Sequence, residues 1–230
     1  MKTQSIFIAG TDTGVGKTIV TGLTGKFFLD SGYKTITQKW VQTGKQPDID
    51  EHIKIMGLNR KNLIKYAPLM CPYHFKFPSS PHLASSLEKK TIKKEKIKQD
   101  FFTLENFFNI VIVEATGGVL VPLSRSLFII DIVKELSIPV VLIAGNKLGT
   151  INHTLLSIEA LKKRKIKILG IIFNNFENNC PDKILENNPI IIRGITGESI
   201  LGVLPYTKNM DLLYQKFVHI GENLIHRIKK

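Results

Sequence analysis

Cysteine is scarce in this sequence: Cys71 and Cys180 stand alone among 230 residues. Two isolated thiols cannot frame a disulfide scaffold, so the chain is expected to hold together by burial, in a reducing compartment. Long apolar runs are missing as well. The longest, around 140–144, is far too short to span a bilayer. No secretory core opens the chain, because Ile6-Phe7-Ile8-Ala9 gives way at once to glycine and polar residues. A cytoplasmic protein without membrane contact is the expectation. Histidine and cysteine at metal-ligand spacing are absent, as is a nucleophile elbow, which removes zinc sites and serine hydrolases from consideration. Acidic side chains are outnumbered, 19 against 32 basic, which leaves a formal charge of +13. That excess is compatible with a nucleic-acid or anionic-membrane partner. The lysines, however, gather at 89–98 and 162–167, interleaved with apolar residues at helical spacing and without aromatic stacking residues. They read as solvated helix faces. No nucleic-acid partner is expected, although a basic protein attracts anionic substrates.

What is present is an ordinary globular balance, 43% hydrophobic and 22% charged, enough for a sizeable core. One α/β domain over 1–230 is the expectation. Short β-branched apolar runs alternate with helical patterns, the mark of βαβ units and a mostly parallel sheet with helices on both faces. Strands are predicted at 5–9, 35–39, 110–114, 140–144, 168–173 and 200–204. Helices are predicted at 17–30, 51–56, 81–87, 93–107, 126–136, 151–164 and 210–228. Residues 43–81, with Gly44, Pro47, Pro68, Pro72 and Pro78, form the least regular stretch. A loop region of that length inside a compact domain usually covers a site.

The strongest chemical signal is Gly10-Thr11-Asp12-Thr13-Gly14-Val15-Gly16-Lys17-Thr18, between a predicted strand and a predicted helix. In that context successive backbone N–H groups and the helix N-terminus form a cradle for phosphate oxygens. Lys17 would neutralise the β/γ-phosphates, and the Thr18 hydroxyl would reach Mg²⁺. Five residues separate Gly10 from Gly16, one more than the usual pattern.

Ligands in open α/β sheets sit beyond the carboxyl ends of the strands. Those ends here read Lys39-Trp40-Val41-Gln42-Thr43-Gly44, Glu114-Ala115-Thr116-Gly117-Gly118, Gly145-Asn146-Lys147-Leu148-Gly149 and Asn174-Asn175. Glycines, amides and charges therefore collect at one edge. Glu114 closes the apolar run Ile110-Val111-Ile112-Val113, where a carboxylate is costly unless paired or metal-bound, so a role near Mg²⁺ is expected. Asp50 precedes a helical pattern, and helix capping accounts for it equally well; Asp48 is an alternative ligand. Spacing alone does not separate Lys39 from a solvated lysine. His82 and His153 read as polar residues at helix starts.

With these motifs in order, the sequence resembles the dethiobiotin synthetase family over essentially its full length. The shared pieces are Gly10-Thr11-Asp12-Thr13 with Val15-Gly16-Lys17-Thr18, Lys39 with Val41-Gln42-Thr43-Gly44, Ser80-Pro81-His82, Val113-Glu114 with Gly117-Gly118 and Pro122-Leu123, Lys147-Leu148-Gly149 with Ile151-Asn152-His153, Gly170 with Asn174, and Gly202 with Pro205. The longer P-loop spacing is itself typical of that family. The resemblance implies an ATP-dependent reaction of 7,8-diaminononanoate with CO₂ that gives dethiobiotin, ADP and phosphate, with Mg²⁺. It implies that Thr18, Asp50 and Glu114 hold Mg²⁺. It also implies that Gly14, Val15, Gly16, Lys17, Thr18 and Ile19 cradle the phosphates, with Ala115, Thr116 and Gly117 alongside. Asn174 and Asn175 would read the adenine, walled by Pro205 and Tyr206. Thr13, Lys17, Lys39 and Thr43 would face the diamine and its carbamate. The 147–152 segment would reach the substrate carboxylate across a homodimer boundary. Like-charge repulsion from Lys17 and Lys39 is expected to lower the pKa of a substrate amine and so favour its attack on CO₂.

Two departures stand out. Trp40 replaces the family's usual proline, so a different pocket wall is expected there. Ala115-Thr116 replaces the more typical Gly-Ala, and the added Cβ atoms are expected to crowd nucleotide or metal. A related P-loop branch, the partition and septum-positioning ATPases, usually has a second lysine early in the loop, where this chain has Asp12.

Overall fold

The computed structural model describes residues 3–45, 47–176 and 180–228. Six strands form one parallel sheet: β1 (Gln4–Gly10), β2 (Thr35–Lys39), and, passing over a short β3 (Val41–Thr43) and β4 (Tyr73–Phe75), then β5 (Ile110–Gly118), β6 (Val140–Gly145), β7 (Ile168–Asn174) and β8 (Ile200–Leu204). The spatial order is β2-β5-β1-β6-β7-β8. Helices α1 (Lys17–Asp30), α2 (Asp48–Ile55), α3 (Ala67–Met70), α4 (Pro81–Leu87), α5 (Lys94–Glu105), α6 (Ile129–Glu135), α7 (Thr150–Lys163), α8 (Asp182–Thr196) and α9 (Met210–Ile228) complete the chain.

Side-chain alternation explains the three layers. Ile6, Ile8, Ile110, Ile112, Val141 and Ile143 enter one apolar cluster with Val20, Leu23, Phe27 and Phe28 of α1 and Phe217 and Leu224 of α9. The intervening Phe7, Ala9, Val111, Val113, Leu142 and Ala144 enter the other, with Ile97, Phe101 and Leu104 of α5 and Ile132 of α6. Strands buried on both faces read as continuous apolar runs, as expected for a parallel sheet. Each large side chain moved fully out of water stabilises by about 1.5–3 kcal/mol.

Most predicted elements form, several with the expected ends. Two regions differ. The stretch predicted to be irregular folds into β3 and β4, paired in parallel, with a 3-10 segment Arg60–Tyr66 and α3 between. Its prolines lie at turns and at the first turn of helices, where the missing N–H is tolerated. The second difference is α8, which sequence patterning did not predict because Pro189 lies inside it. Asn188, just before that proline, is buried and donates to the side chain of Asn146 at 2.8 Å, which ties α8 to the sheet edge.

Candidate active site

At the carboxyl edge of the sheet lies a cleft of ≈ 500 Å³. Residues from the loop after β1, from β2, β3 and β5, and from α2 line it: Thr13, Gly14, Gly16, Lys17, Thr18, Ile19, Lys39, Gln42, Thr43, Asp48, Glu114, Thr116 and Gly117. The phosphate-binding loop runs directly from β1 into α1, and Gly16 caps that helix with φ 93. Only glycine takes that conformation without strain. A Cβ there would also collide with the amide of Asn174. That amide donates to the Val15 carbonyl at 3.0 Å, so Asn174 braces the loop from β7. Lys17 turns back over the loop, its Nζ donating to the Asp12 carbonyl at 2.8 Å.

The opposite wall follows from strand register. β2 pairs with β5 so that Lys39 sits beside Glu114, and period-two alternation puts both side chains on the α1 side. Lys39 Nζ donates to Glu114 Oε1 at 2.7 Å, and the Thr18 hydroxyl donates to the same oxygen at 3.1 Å. Lys39 also contacts the Asp48 carboxylate. His52 completes the cluster, its Nε2 lying 2.6 Å from Glu114 Oε2. Asp48 and His52 are four residues apart on α2 and so share one face. Gly22 and Gly25 of α1 let α2 approach: a Cβ at either would meet Ile55 or Met56 at under 3 Å.

Electrostatics divide the two lysines. Burial lowers Lys17 to about 8, only partly opposed by Glu114 and reinforced by Lys39. Burial would lower Lys39 too, but Glu114 and Asp48 outweigh it and hold its ammonium above the ordinary lysine value. Burial likewise pushes Glu114 up, while Lys39 and His52 prevail and bring it to about 2. Glu114 is therefore an anion in a nearly closed setting, 1% exposed, and stable there because it is paired. The like-charge repulsion expected from Lys17 and Lys39 together is offset by two carboxylates on the same spot.

The remaining sequence candidates divide clearly. Asp50 is not brought to the cleft: half a turn from Asp48, it pairs with Arg60 at 2.8 Å on the other side of α2. Asp48 lines the cleft instead. Ala115 is fully buried in the core, so its Cβ crowds nothing in the cleft. Thr116 turns its hydroxyl to the Val41 carbonyl. Trp40 belongs to no cleft wall. One residue beyond Lys39 it faces the opposite side of the sheet, packs on Phe7 and Phe101, and donates its indole N–H to Gln38 Oε1 at 2.9 Å. Asn175 is engaged as a scaffold group, its side-chain oxygen accepting from Asn146 at 2.8 Å. Pro205 and the exposed Tyr206 follow β8, whose last residue, Leu204, pairs with Asn174 and accepts the Asn175 N–H at 2.9 Å. Sequence reasoning missed His52; its spacing from Asp48 was the available signal. Both cysteines are free.

A second cleft of ≈ 440 Å³ adjoins the first, sharing Thr13, Thr43, Thr116 and Gly117 and adding Pro78, Ser79, Ser80, Pro81 and Val121. The cleft at the P-loop thus opens onto a separate, more apolar chamber. Among the described residues no helix is long and apolar enough to cross a membrane.

Comparison with known proteins agrees with that geometry. A protein-family profile described as an AAA domain matches residues 4–212. The ATP-dependent dethiobiotin synthetase BioD of Chlorobaculum tepidum is 43% identical over 182 residues, covering 76% of this chain and 74% of that protein. The ATP-dependent dethiobiotin synthetase BioD of Endomicrobium trichonymphae is 37% identical over 213 residues, covering 91% and 95%. Among solved structures, the MinD cell division protein of Aquifex aeolicus matches with TM-score 0.60 at 13% identity, over 97% of this chain and 98% of that one. A ParA family ATPase from Chlorobium tepidum matches with TM-score 0.57 at 13% identity, over 99% and 97%. Likeness at such identities concerns the fold alone.

Proposed function

The chain belongs to the ATP-dependent dethiobiotin synthetase family, and from that premise we propose how its cleft carries out the reaction. It is an ATP-dependent cyclo-ligase of biotin biosynthesis. The observation that carries the residue assignments is the convergence of Lys17, Thr18, Lys39, Asp48 and Glu114 on one cleft beside a second chamber.

In this reading ATP lays its phosphates along Gly14 to Thr18, with Lys17 on the terminal phosphates. Its base extends toward Asn174, Pro205 and Tyr206. The diamine, 7,8-diaminononanoate, occupies the chamber bounded by Thr13, Thr43, Ser80 and Pro81. One neutral amine adds to CO₂ and loses a proton, giving a carbamate. A carbamate oxygen attacks the γ-phosphorus and ADP departs, which leaves a carbamic–phosphoric mixed anhydride. The second amine then attacks the carbonyl carbon and displaces phosphate, closing the five-membered urea. Holding both amines in one chamber makes that last step effectively unimolecular. Lys17, with its ammonium pKa near 8, suits a cleft where charge develops during reaction.

The donor set of Thr18 hydroxyl, Glu114 and Asp48 is all hard oxygen, which fits Mg²⁺. Mg²⁺ commonly takes one or two carboxylates plus phosphates and waters, so a dense cluster of protein ligands is not required. When bound, the ion would neutralise charge on the transferring phosphoryl group. The carboxylates it would use are those that now hold Lys39. Their engagement elsewhere would free the Lys39 ammonium to face the carbamate.

A homodimer accords with exposed Leu120 and Leu156, which flank a cleft of ≈ 360 Å³ also lined by Thr11, Asp12 and His153. A second copy would cover that apolar rim.

Incubation with ATP, Mg²⁺, the diamine and ¹³C-bicarbonate tests the reaction. Dethiobiotin carrying one ¹³C in its ureido carbon is the expected product; unlabelled product, or none, would refute it.

A further inference from the structure

His52 has no part in the reaction as written and does not line the cleft, yet it is wholly buried behind Glu114. It is 0% exposed, and its Nδ1 is buried with no hydrogen-bond partner among the described residues. A buried ring nitrogen without a partner is a net cost, so the contact made by the other nitrogen must offset it. That contact is to Glu114 Oε2 at 2.6 Å.

The two oxygens of Glu114 divide their partners. Oε1 receives the Thr18 hydroxyl at 3.1 Å and the Lys39 ammonium at 2.7 Å, while Oε2 faces His52. A carboxylate on a flexible glutamate stem can rotate; its two oxygens are equivalent, so what matters is the tilt of its plane, and a tilted plane would present no oxygen squarely to Thr18 and Lys39. We infer that His52 is the positioning residue for Glu114: by donating from Nε2 to Oε2, it fixes the carboxylate plane and keeps Oε1 aimed at Thr18 and Lys39. Helix α2 thereby acts on the cleft twice. Asp48, whose side chain is 28% exposed, engages Lys39 from the solvent side, and His52, one turn later, engages Glu114 from the buried side.

A purely packing role for His52 predicts something different from a positioning role. Packing depends on shape and apolar contact, whereas positioning depends on one N–H at one place. The inference rests on the reading that Glu114 faces the metal–nucleotide, so Glu114→Gln is measured alongside. His52→Gln retains an N–H donor of similar reach, and His52→Leu removes it at similar volume. Each variant is checked for folding by thermal melting. Binding of a non-hydrolysable ATP analogue is then titrated against Mg²⁺ by calorimetry, and KM for the diamine is recorded separately.

Expected for His52→Leu is an Mg²⁺ requirement raised about tenfold or more, the usual effect of losing the partner that orients a metal-ligating group. Analogue affinity without Mg²⁺ and KM for the diamine stay unchanged, and His52→Gln recovers most of the loss. A folded His52→Leu protein with ordinary Mg²⁺ dependence overturns the inference, as does a His52→Gln protein impaired equally. Should His52→Leu fail to fold, His52→Asn replaces it, because its amide is too short to reach Oε2. An Mg²⁺ dependence unmoved by Glu114→Gln overturns both the metal reading and the inference; one moved by Glu114→Gln but not by His52→Leu overturns the inference alone.

Discussion

The P-loop side of the cleft is written in one contiguous stretch, Gly10 to Thr18, between a strand and the helix it opens. The facing side is assembled from Lys39 on β2, Thr43 on β3, Asp48 and His52 on α2, and Glu114 on β5. The first wall owes its shape to local backbone chemistry: positive-φ glycine, exposed N–H groups and a helix N-terminus. Charge pairing across strands and helices sets the second, where the Lys39 ammonium sits between a buried carboxylate, Glu114, and a partly exposed one, Asp48. In the proposed reading the first wall holds the phosphates, a task that local backbone chemistry is suited to. In the same reading the second wall is what separates a ligase from a switch.

The largest test of that division is Lys39→Ala. It leaves the P-loop intact, so ADP affinity is expected to stay close to normal in a calorimetric titration. Dethiobiotin formation is expected to fall about 10²–10³-fold, the usual effect of losing one charge that stabilises a transition state. Removing the cation also strands Glu114 and Asp48, and a loss of about 3 kcal/mol in folding stability is expected from chemical denaturation. Equal losses in nucleotide binding and ring closure would erase the distinction between the walls.

A smaller effect comes from the two aspartates of α2. Asp48→Asn is expected to raise KM for Mg·ATP about tenfold, because it removes a carboxylate that would hold the ion. Asp50→Asn is expected to leave the kinetics unchanged and to cost at most about 1 kcal/mol, since its partner Arg60 is largely exposed. Steady-state kinetics of the pair sharpen the second wall to a single helix face. The reverse pattern would place Asp50 in the cleft.

These contrasts also explain what was legible in the sequence. Strand periodicity and the Gly10–Thr18 motif are local signals, so the sheet, α1 and the loop that opens it could be anticipated from residue order. Glu114 at the end of an apolar run was legible for the same reason. Choosing between Asp48 and Asp50 needed the direction from which α2 meets the sheet, and that is set by Gly22 and Gly25 of α1. Trp40 looked like a change in the pocket wall because it adjoins Lys39; strand alternation sends it into the core. Spacing alone set His52 on one face with Asp48, but its contact to Glu114, 62 residues away, could not be read from residue order. Helix α8 was hidden by Pro189, which its buried neighbour Asn188 offsets through Asn146.

The central claim is that both walls act together, so that ATP is consumed only when a carbamate can form. ADP release, followed with and without the diamine and bicarbonate, tests this most directly. Release is expected only when both are present, at one ADP per dethiobiotin. Sustained release without the diamine would contradict the account and assign the cleft to an ATPase switch.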